Sequence, residues 1–126
     1  MSSDVLERLK KGGSVDLRDM CLDDEGAKTI AEFLRYDQTI TALSLCGNRI
    51  GAEGSRAIAE ALRTNQTLES LSLIVNRIGD EGSRVLVEAL RGNRALTTLD
   101  LAYNAIGVEG ARAIAKSLCE NHTLTT

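Results

Sequence analysis

One short phrase returns three times along this chain at a constant spacing. "CGNRIGAEG" occupies residues 46–54, "IVNRIGDEG" residues 74–82 and "AYNAIGVEG" residues 102–110. The step is 28 residues, and Leu43, Leu71 and Leu99 keep the same step. A fixed period of this size is typical of a solenoid, in which each unit buries its apolar face only against its neighbours.

Each unit changes its hydrophobic period midway. In the third unit, "LESLSL" (68–73) alternates as a short strand does, and "EGSRVLVEALR" (81–91) repeats apolar residues at helical spacing. Strands stacked by identical crossovers are parallel, and their connections are right-handed. Strands pack about 4.8 Å apart and helices about 8–10 Å apart, so the stack must curve. The sequence predicts an α/β right-handed solenoid, a horseshoe with parallel strands on its concave face and helices on its convex face.

The 126 residues are predicted to form one domain. Residues 1–11 have the pattern of an amphipathic helix that caps the first unit. About four 28-residue repeats run from 12 to 123, and a fifth only begins at Thr123. Because the edge of the fourth unit has no polar cap, we expect a longer array or a homodimer that buries Leu118 and Leu124.

Two columns of asparagine have predicted structural roles. An asparagine side chain both donates and accepts hydrogen bonds, so it satisfies backbone groups where the chain bends. The first column follows the strands and predicts a ladder between units: Asn48, Asn76 and Asn104. The second column follows the helices, where a left-handed cap residue is expected: Asn65, Asn93 and Asn121.

The pattern LxxLxLxxNxIGxEG, found at 40–54, 68–82 and 96–110, resembles a leucine-rich repeat. The 28-residue helical form is similar to the ribonuclease-inhibitor-like class, and to the repeats of NOD-like receptors and of the Ran GTPase-activating protein. The resemblance covers residues 12 to 126. It implies a protein-binding fold with many unrelated roles, among them regulation of a small GTPase.

Composition excludes several function classes. The net charge of −3 disfavours nucleic acid as a partner. No apolar run is long enough for a membrane span or a signal peptide, and three cysteines without a CxxC spacing fit a reducing compartment, so we expect a cytoplasmic protein without membrane partners. With a single histidine, no catalytic or metal-binding set can be assembled, and we expect neither enzymatic activity nor a cofactor.

The side chains that alternate with the buried leucines face the concave side, and they form the predicted partner-binding site. Tyr103 is its best anchor, because tyrosine supplies a large contact area at low entropy cost. Isoleucine and valine also suit a strand for β-propensity alone, so the apolar members have a purely structural alternative. The predicted site comprises Asp16, Arg18, Cys46, Ser72, Ile74, Val75, Asp100, Ala102 and Tyr103.

A basic column is expected on the helices, beside an acidic one. Residues four apart on a helix are neighbours, so the two columns predict a solvated surface of ion pairs, and an anionic partner is the alternative. The basic column is Lys28, Arg56, Arg84 and Arg112, and the acidic column is Glu32, Glu60 and Glu88.

Overall fold

The structure is a computed structural model that describes residues 3–121, 123 and 124. Strands and helices alternate along the described chain after a first helix. A single 3₁₀ turn at Leu90–Gly92 extends the fourth helix. The elements are α1 (Ser3–Lys11), β1 (Gly13–Asp16), α2 (Asp24–Tyr36), β2 (Ile40–Ser44), α3 (Ala52–Thr64), β3 (Ser70–Ser72), α4 (Gly79–Ala89), β4 (Thr98–Asp100) and α5 (Val108–Glu120).

The four strands form one parallel sheet in the order β1-β2-β3-β4. Leu43 pairs with Leu71, and Leu71 pairs with Leu99, so the 28-residue step of the sequence is the register of the sheet. Hydrogen bonding continues past the strands, with Leu73 N donating to Asp100 O at 2.9 Å. The predicted α/β solenoid, with strands on one face and helices on the other, is therefore confirmed.

The core lies between the sheet and the helices and is aliphatic. Leu71 and Leu73 of the third repeat are fully buried, as is Leu86 on the helix that covers them. Burying one such side chain contributes about 1.5–3 kcal/mol. Helix α1 adds Val5 and Leu9 to the same core, so the first repeat is covered on its outer side.

The turn from helix to strand differs from the prediction. Asn65 has extended backbone angles (φ −76°, ψ 123°), and so do Asn93 and Asn121, so the predicted left-handed caps are wrong. The Asn65 side chain instead accepts hydrogen bonds from the N–H groups of Thr67 (3.0 Å) and Leu68 (2.9 Å). Its amide donates to the Leu34 carbonyl of the preceding repeat at 2.8 Å.

The physical reason is that a helix end needs donors for its last carbonyls. A left-handed residue supplies them through its own backbone, whereas here the asparagine of the next repeat supplies one from its side chain. Asn93 repeats the pattern, donating to Leu62 O at 2.8 Å and accepting from Ala95 N at 2.9 Å. The helix-to-strand turns thus carry a second asparagine ladder.

Two helix N-termini are capped by the repeat before them. Asp24 Oδ1 accepts from Gly51 N (2.7 Å) and Gly54 N (3.0 Å) at the start of α3. Asp80 Oδ1 accepts from Gly107 N at 2.6 Å at the start of α5. Helix α4 has no corresponding carboxylate cap among the described residues, because Ala52 stands one repeat before Asp80.

Among residues 3–121, 123 and 124, no helix combines the length and the apolar character needed to cross a bilayer.

Candidate protein-binding surface

The path of each strand-to-helix turn is fixed by a buried asparagine. Asn76 is 8% exposed, and its amide donates to Leu45 O (2.9 Å) and Leu73 O (3.0 Å). Its side-chain oxygen accepts from Ile50 N at 3.0 Å. Asn48 and Asn104 are buried and make corresponding bonds one repeat away on either side. Each asparagine thereby ties its own turn to the turn of the preceding repeat.

The residue before this position is left-handed in all four repeats, including the first, where Met20 replaces the asparagine. Asp19 (φ 54°), Gly47 (φ 70°), Val75 (φ 55°) and Tyr103 (φ 58°) occupy this column. Only glycine adopts such angles freely, and other residues lose about 1–2 kcal/mol. For a β-branched valine the conformation is a genuine outlier. Val75 and Tyr103 nevertheless project outward, with 49% and 83% of their surface exposed.

The floor of the concave face is a register-matched row of small and acidic side chains. Asp16 pairs with Ser44, Ser44 with Ser72, and Ser72 with Asp100. The two serines are half-buried and the two carboxylates are exposed. The row therefore has an uncharged hydroxyl centre between two acidic ends.

Asp16 is held by Arg18 at the first end of this row. The Arg18 backbone N–H donates to one carboxylate oxygen at 3.1 Å, and its guanidinium donates to the other at 2.9 Å. These contacts, the backbone bond first, lower the pKa of Asp16 below its ordinary value although partial desolvation opposes them. At the other end, Asp100 accepts from Ala102 N at 3.1 Å in the same local geometry.

The remaining predicted residues lie beside this row with unequal exposure. Cys46 and Ile74 are half-buried, because each lies in the middle of the stack with a repeat on both sides. Ala102 lies in the last described repeat and is exposed. The predicted site is thus one continuous surface whose most open apolar members are Val75, Ala102 and Tyr103.

Two arginines beside this surface escaped the sequence reasoning. Arg49 and Arg77 follow Asn48 and Asn76 directly, and both are exposed. Within the described residues, neither guanidinium has a carboxylate partner. The signal was present in the repeated "NRI" of the second and third units, which the fourth replaces with "NAI".

The basic column on the helices is largely neutralised. Arg84 donates to Glu88 at 2.9 Å and also pairs with Glu81, and Arg56 reaches Glu81 across helices at 3.6 Å. Lys28 pairs with Glu25 at 3.3 Å rather than with the acidic column. This arrangement favours the solvated ion-pair surface over an anionic partner on the convex side.

The edge of the fourth repeat is apolar and open. Leu118 is 49% exposed and Leu124 is half-buried. Together with residues of α4, β4 and α5 they line an apolar hollow, whose other walls are Val87, Leu99, Leu101, Ile114 and Ser117.

Three segments of the chain match the family model described as Leucine Rich repeat: 36–59, 64–87 and 92–115, more than half of its length. The chain belongs to the leucine-rich repeat family. The finer assignment to the ribonuclease-inhibitor-like class stays a prediction. No curated protein matches this leucine-rich repeat chain.

Solved structures of this repeat architecture are close in shape. The chain superimposes on leiomodin-1 Actin-Binding Site 2 (ABS2) with a TM-score of 0.84 and 29% identity, covering 96% of this chain and 74% of that one. It also superimposes on the tropomodulin C-terminal domain of Caenorhabditis elegans, with a TM-score of 0.82, 18% identity and coverage of 96% and 77%. The second likeness is one of fold alone.

Proposed function

We propose that this chain is a non-catalytic protein-interaction module that binds its partner through the concave strand face. The observation that carries the proposal is the register-matched floor, in which small side chains line up over four strands. Small side chains let a partner approach the sheet closely. The exposed Val75 and Tyr103 border this floor, and contiguous exposed apolar residues tend to mark interfaces.

Actin is the first partner to test. The leiomodin-1 structure, whose shape this chain shares, is an actin-binding site. The two chains are 29% identical, so the experiment is designed to locate the surface as well as to detect binding.

The experiment measures the affinity for monomeric and filamentous actin, comparing the wild type with Ser72→Arg. Ser72 lies at the centre of the floor, so an arginine there obstructs a partner lying on the sheet. We expect at least a tenfold loss of affinity. The matched control is Gln38→Arg, which adds the same side chain at an exposed turn before β2.

If both variants bind as the wild type does, the concave-face proposal is wrong. If the wild type binds neither form of actin, the same pair of variants is used in affinity capture from cell lysate. A protein retained by the wild type and Gln38→Arg but lost with Ser72→Arg identifies another partner of the same surface.

A second candidate function is self-association through the edge of the fourth repeat, favoured by the exposed Leu118. In a symmetric dimer, the two copies would cover each other's apolar hollow. Light scattering tests this idea directly: a dimer that Leu118→Lys converts to a monomer supports it, and a monomer at high concentration excludes it.

Regulation of a small GTPase is supported by resemblance alone. An unchanged rate of GTP hydrolysis by Ran in the presence of the chain would remove it.

A further inference from the structure

The left-handed positions of the third and fourth repeats hold side chains that the fold itself does not require. Glycine occupies the same position in the second repeat, so the turn is formed there without strain. Val75 and Tyr103 keep the strained backbone while exposing 49% and 83% of their surface. Strained conformations of this kind cluster at functional sites. Exposed side chains such as these gain little packing energy to offset the strain.

Arg49 and Arg77, which have no carboxylate partner among the described residues, lie on the same turns. Arg77 N donates to Ile50 O at 2.8 Å, which sets Arg77 beside Arg49 on the neighbouring turn. Val75 N donates to Ala102 O at 2.9 Å, which sets Val75 beside Tyr103. We call the surface formed by Arg49, Val75, Arg77 and Tyr103 the rim patch.

Arg94, on a helix-to-strand turn, also has no described carboxylate partner, but only Arg49 and Arg77 lie on adjacent strand-to-helix turns. Other arginines lie within 3.6 Å of a carboxylate oxygen, namely Arg8, Arg18, Arg35, Arg56, Arg63, Arg84 and Arg112. The guanidinium group is suited to paired hydrogen bonds with a carboxylate. Arg49 and Arg77 therefore present donors that no described carboxylate of the chain uses.

Three carboxylates at or after the strand-to-helix turns have other hydrogen-bond partners or lie at the border of the rim patch. Asp24 and Asp80 accept backbone N–H groups at the starts of α3 and α5. Asp19 lies over Gly47, where its Oδ1 would be 2.0 Å from any added Cβ. Asp19 of the first repeat thus places a negative charge at one border of the rim patch. The rim patch itself is positively charged and apolar.

We propose that the rim patch binds an acidic peptide segment that carries an apolar side chain, contributed by a protein partner. Its carboxylates pair with Arg49 and Arg77, and its apolar side chain packs against Val75 and Tyr103. Turns of adjacent repeats are about 4.8 Å apart, so the patch spans about 10–15 Å, the length of about four extended residues. The proposal rests on the proposed function. It assigns most of the binding energy to the rim patch rather than to the floor of the concave face.

The test uses fluorescently labelled hexapeptides in which glutamate alternates with leucine, phenylalanine or tryptophan, and matched peptides with glutamine in place of glutamate. Fluorescence anisotropy measures affinity at low and high salt. We expect at least one glutamate peptide to bind at least tenfold more tightly than its glutamine counterpart, with the difference shrinking at high salt.

Two pairs of substitutions then assign the contacts. Arg49→Gln with Arg77→Gln should weaken binding at least tenfold and remove its salt dependence. Val75→Gly with Tyr103→Gly should weaken binding at least tenfold while the midpoint of chemical unfolding stays the same or rises, which separates lost contacts from lost folding.

Ser72→Arg distinguishes this inference from the proposed function. Hexapeptide binding that survives Ser72→Arg but not the rim substitutions supports the rim patch. No binding of any glutamate peptide, or binding unaffected by both rim pairs, overturns the rim patch, whether or not Ser72→Arg abolishes binding of a whole partner protein.

Discussion

The two turns of each repeat meet the same requirement in different ways. Both bury backbone groups, and both satisfy them with an asparagine whose amide reaches back to the preceding repeat, as Asn76 does to Leu45 and Asn93 to Leu62. In the helix-to-strand turn the asparagine itself is extended, and neither residue beside Asn65 or Asn93 is left-handed. In the strand-to-helix turn the residue before it is left-handed.

The difference shows where this fold leaves freedom for function. The helix-to-strand turn uses its side chains for its own hydrogen bonds. In the strand-to-helix turn, one left-handed column holds Asp19, Gly47, Val75 and Tyr103 in turn, and Cys21, Gly79 and Ala105 are also left-handed within these turns. Because the same backbone carries four unrelated residues, the fold does not dictate which residue stands in this column.

The largest expected effect is the loss of either ladder. Asn76→Ala and Asn93→Ala should each lower the free energy of unfolding by about 2–4 kcal/mol, because each leaves several buried backbone groups without a partner. Chemical denaturation measures both. Asn121→Ala, at a half-buried position, is the control and should cost less. A loss under about 1 kcal/mol at Asn76 or Asn93 would show that the two turns are not equivalent in stability.

A smaller effect on stability should distinguish the two turns, because residues beside them are packed with different tightness. A Cβ at Gly54, beside the strand-to-helix turn, would lie 2.8 Å from Asp24 Oδ1 and 2.9 Å from Ile50 Cγ2. Gly54→Ala should therefore cost about 1–3 kcal/mol. Gly92, beside the helix-to-strand turn, has nothing within 4 Å, and Gly92→Ala should stay within about 0.5 kcal/mol of the wild type. Equal thermal shifts for the two variants would contradict this contrast.

Relief of strain should change stability in the opposite direction. Val75→Gly should raise the free energy of unfolding by about 0.5–1 kcal/mol, since glycine adopts the left-handed angles without cost. Val108→Gly is the matched control: Val108 is 67% exposed but not left-handed, so glycine there should destabilise. A loss of stability in both variants would mean that the strain at Val75 is small.

The smallest effect concerns the helix-to-strand turn between α2 and β2, where Asp37 replaces asparagine. Burial acts to raise the pKa of Asp37, but hydrogen bonds from Thr39 and Ile40 outweigh it and hold the pKa below its ordinary value of 3.8. A lowered folded pKa adds stability above pH 3.8, and this contribution is lost as the pH falls through the folded value. Urea unfolding between pH 2.5 and 7 should therefore show that the free energy of unfolding of the wild type falls, relative to that of Asp37→Asn, below about pH 4. A gap independent of pH would refute the role of this charge.

Much of the fold was predictable because the period of 28 fixes which residues are neighbours. Register, the buried leucines and the concave row from Asp16 to Asp100 all follow from that step. The backbone of Asn65 did not follow, because asparagine suits both a left-handed cap and a side-chain turn. The choice depends on a carbonyl 31 residues upstream.

The rim patch was harder to predict, because its conformation and its charges also depend on residues that are distant in sequence. Local propensity disfavours a left-handed valine, yet Val75 adopts that conformation in a turn whose next residue, Asn76, bonds to its own repeat and to the preceding one. Whether an arginine finds a carboxylate depends on neighbouring turns and on rotamers. The sequence therefore shows Arg49 and Arg77 without revealing that they lack ion-pair partners.

The direction of the asparagine hydrogen bonds determines when each turn can be completed during synthesis on the ribosome. The turn at Met20 and Leu22 has its N–H groups satisfied by Asn48, which is synthesised 26 to 28 residues later. Asp24, in contrast, is already present when the N-terminus of α3 emerges. The capping carboxylates of α3 and α5 are thus made before the helices that they cap, whereas the asparagine that completes a strand-to-helix turn is made one repeat later.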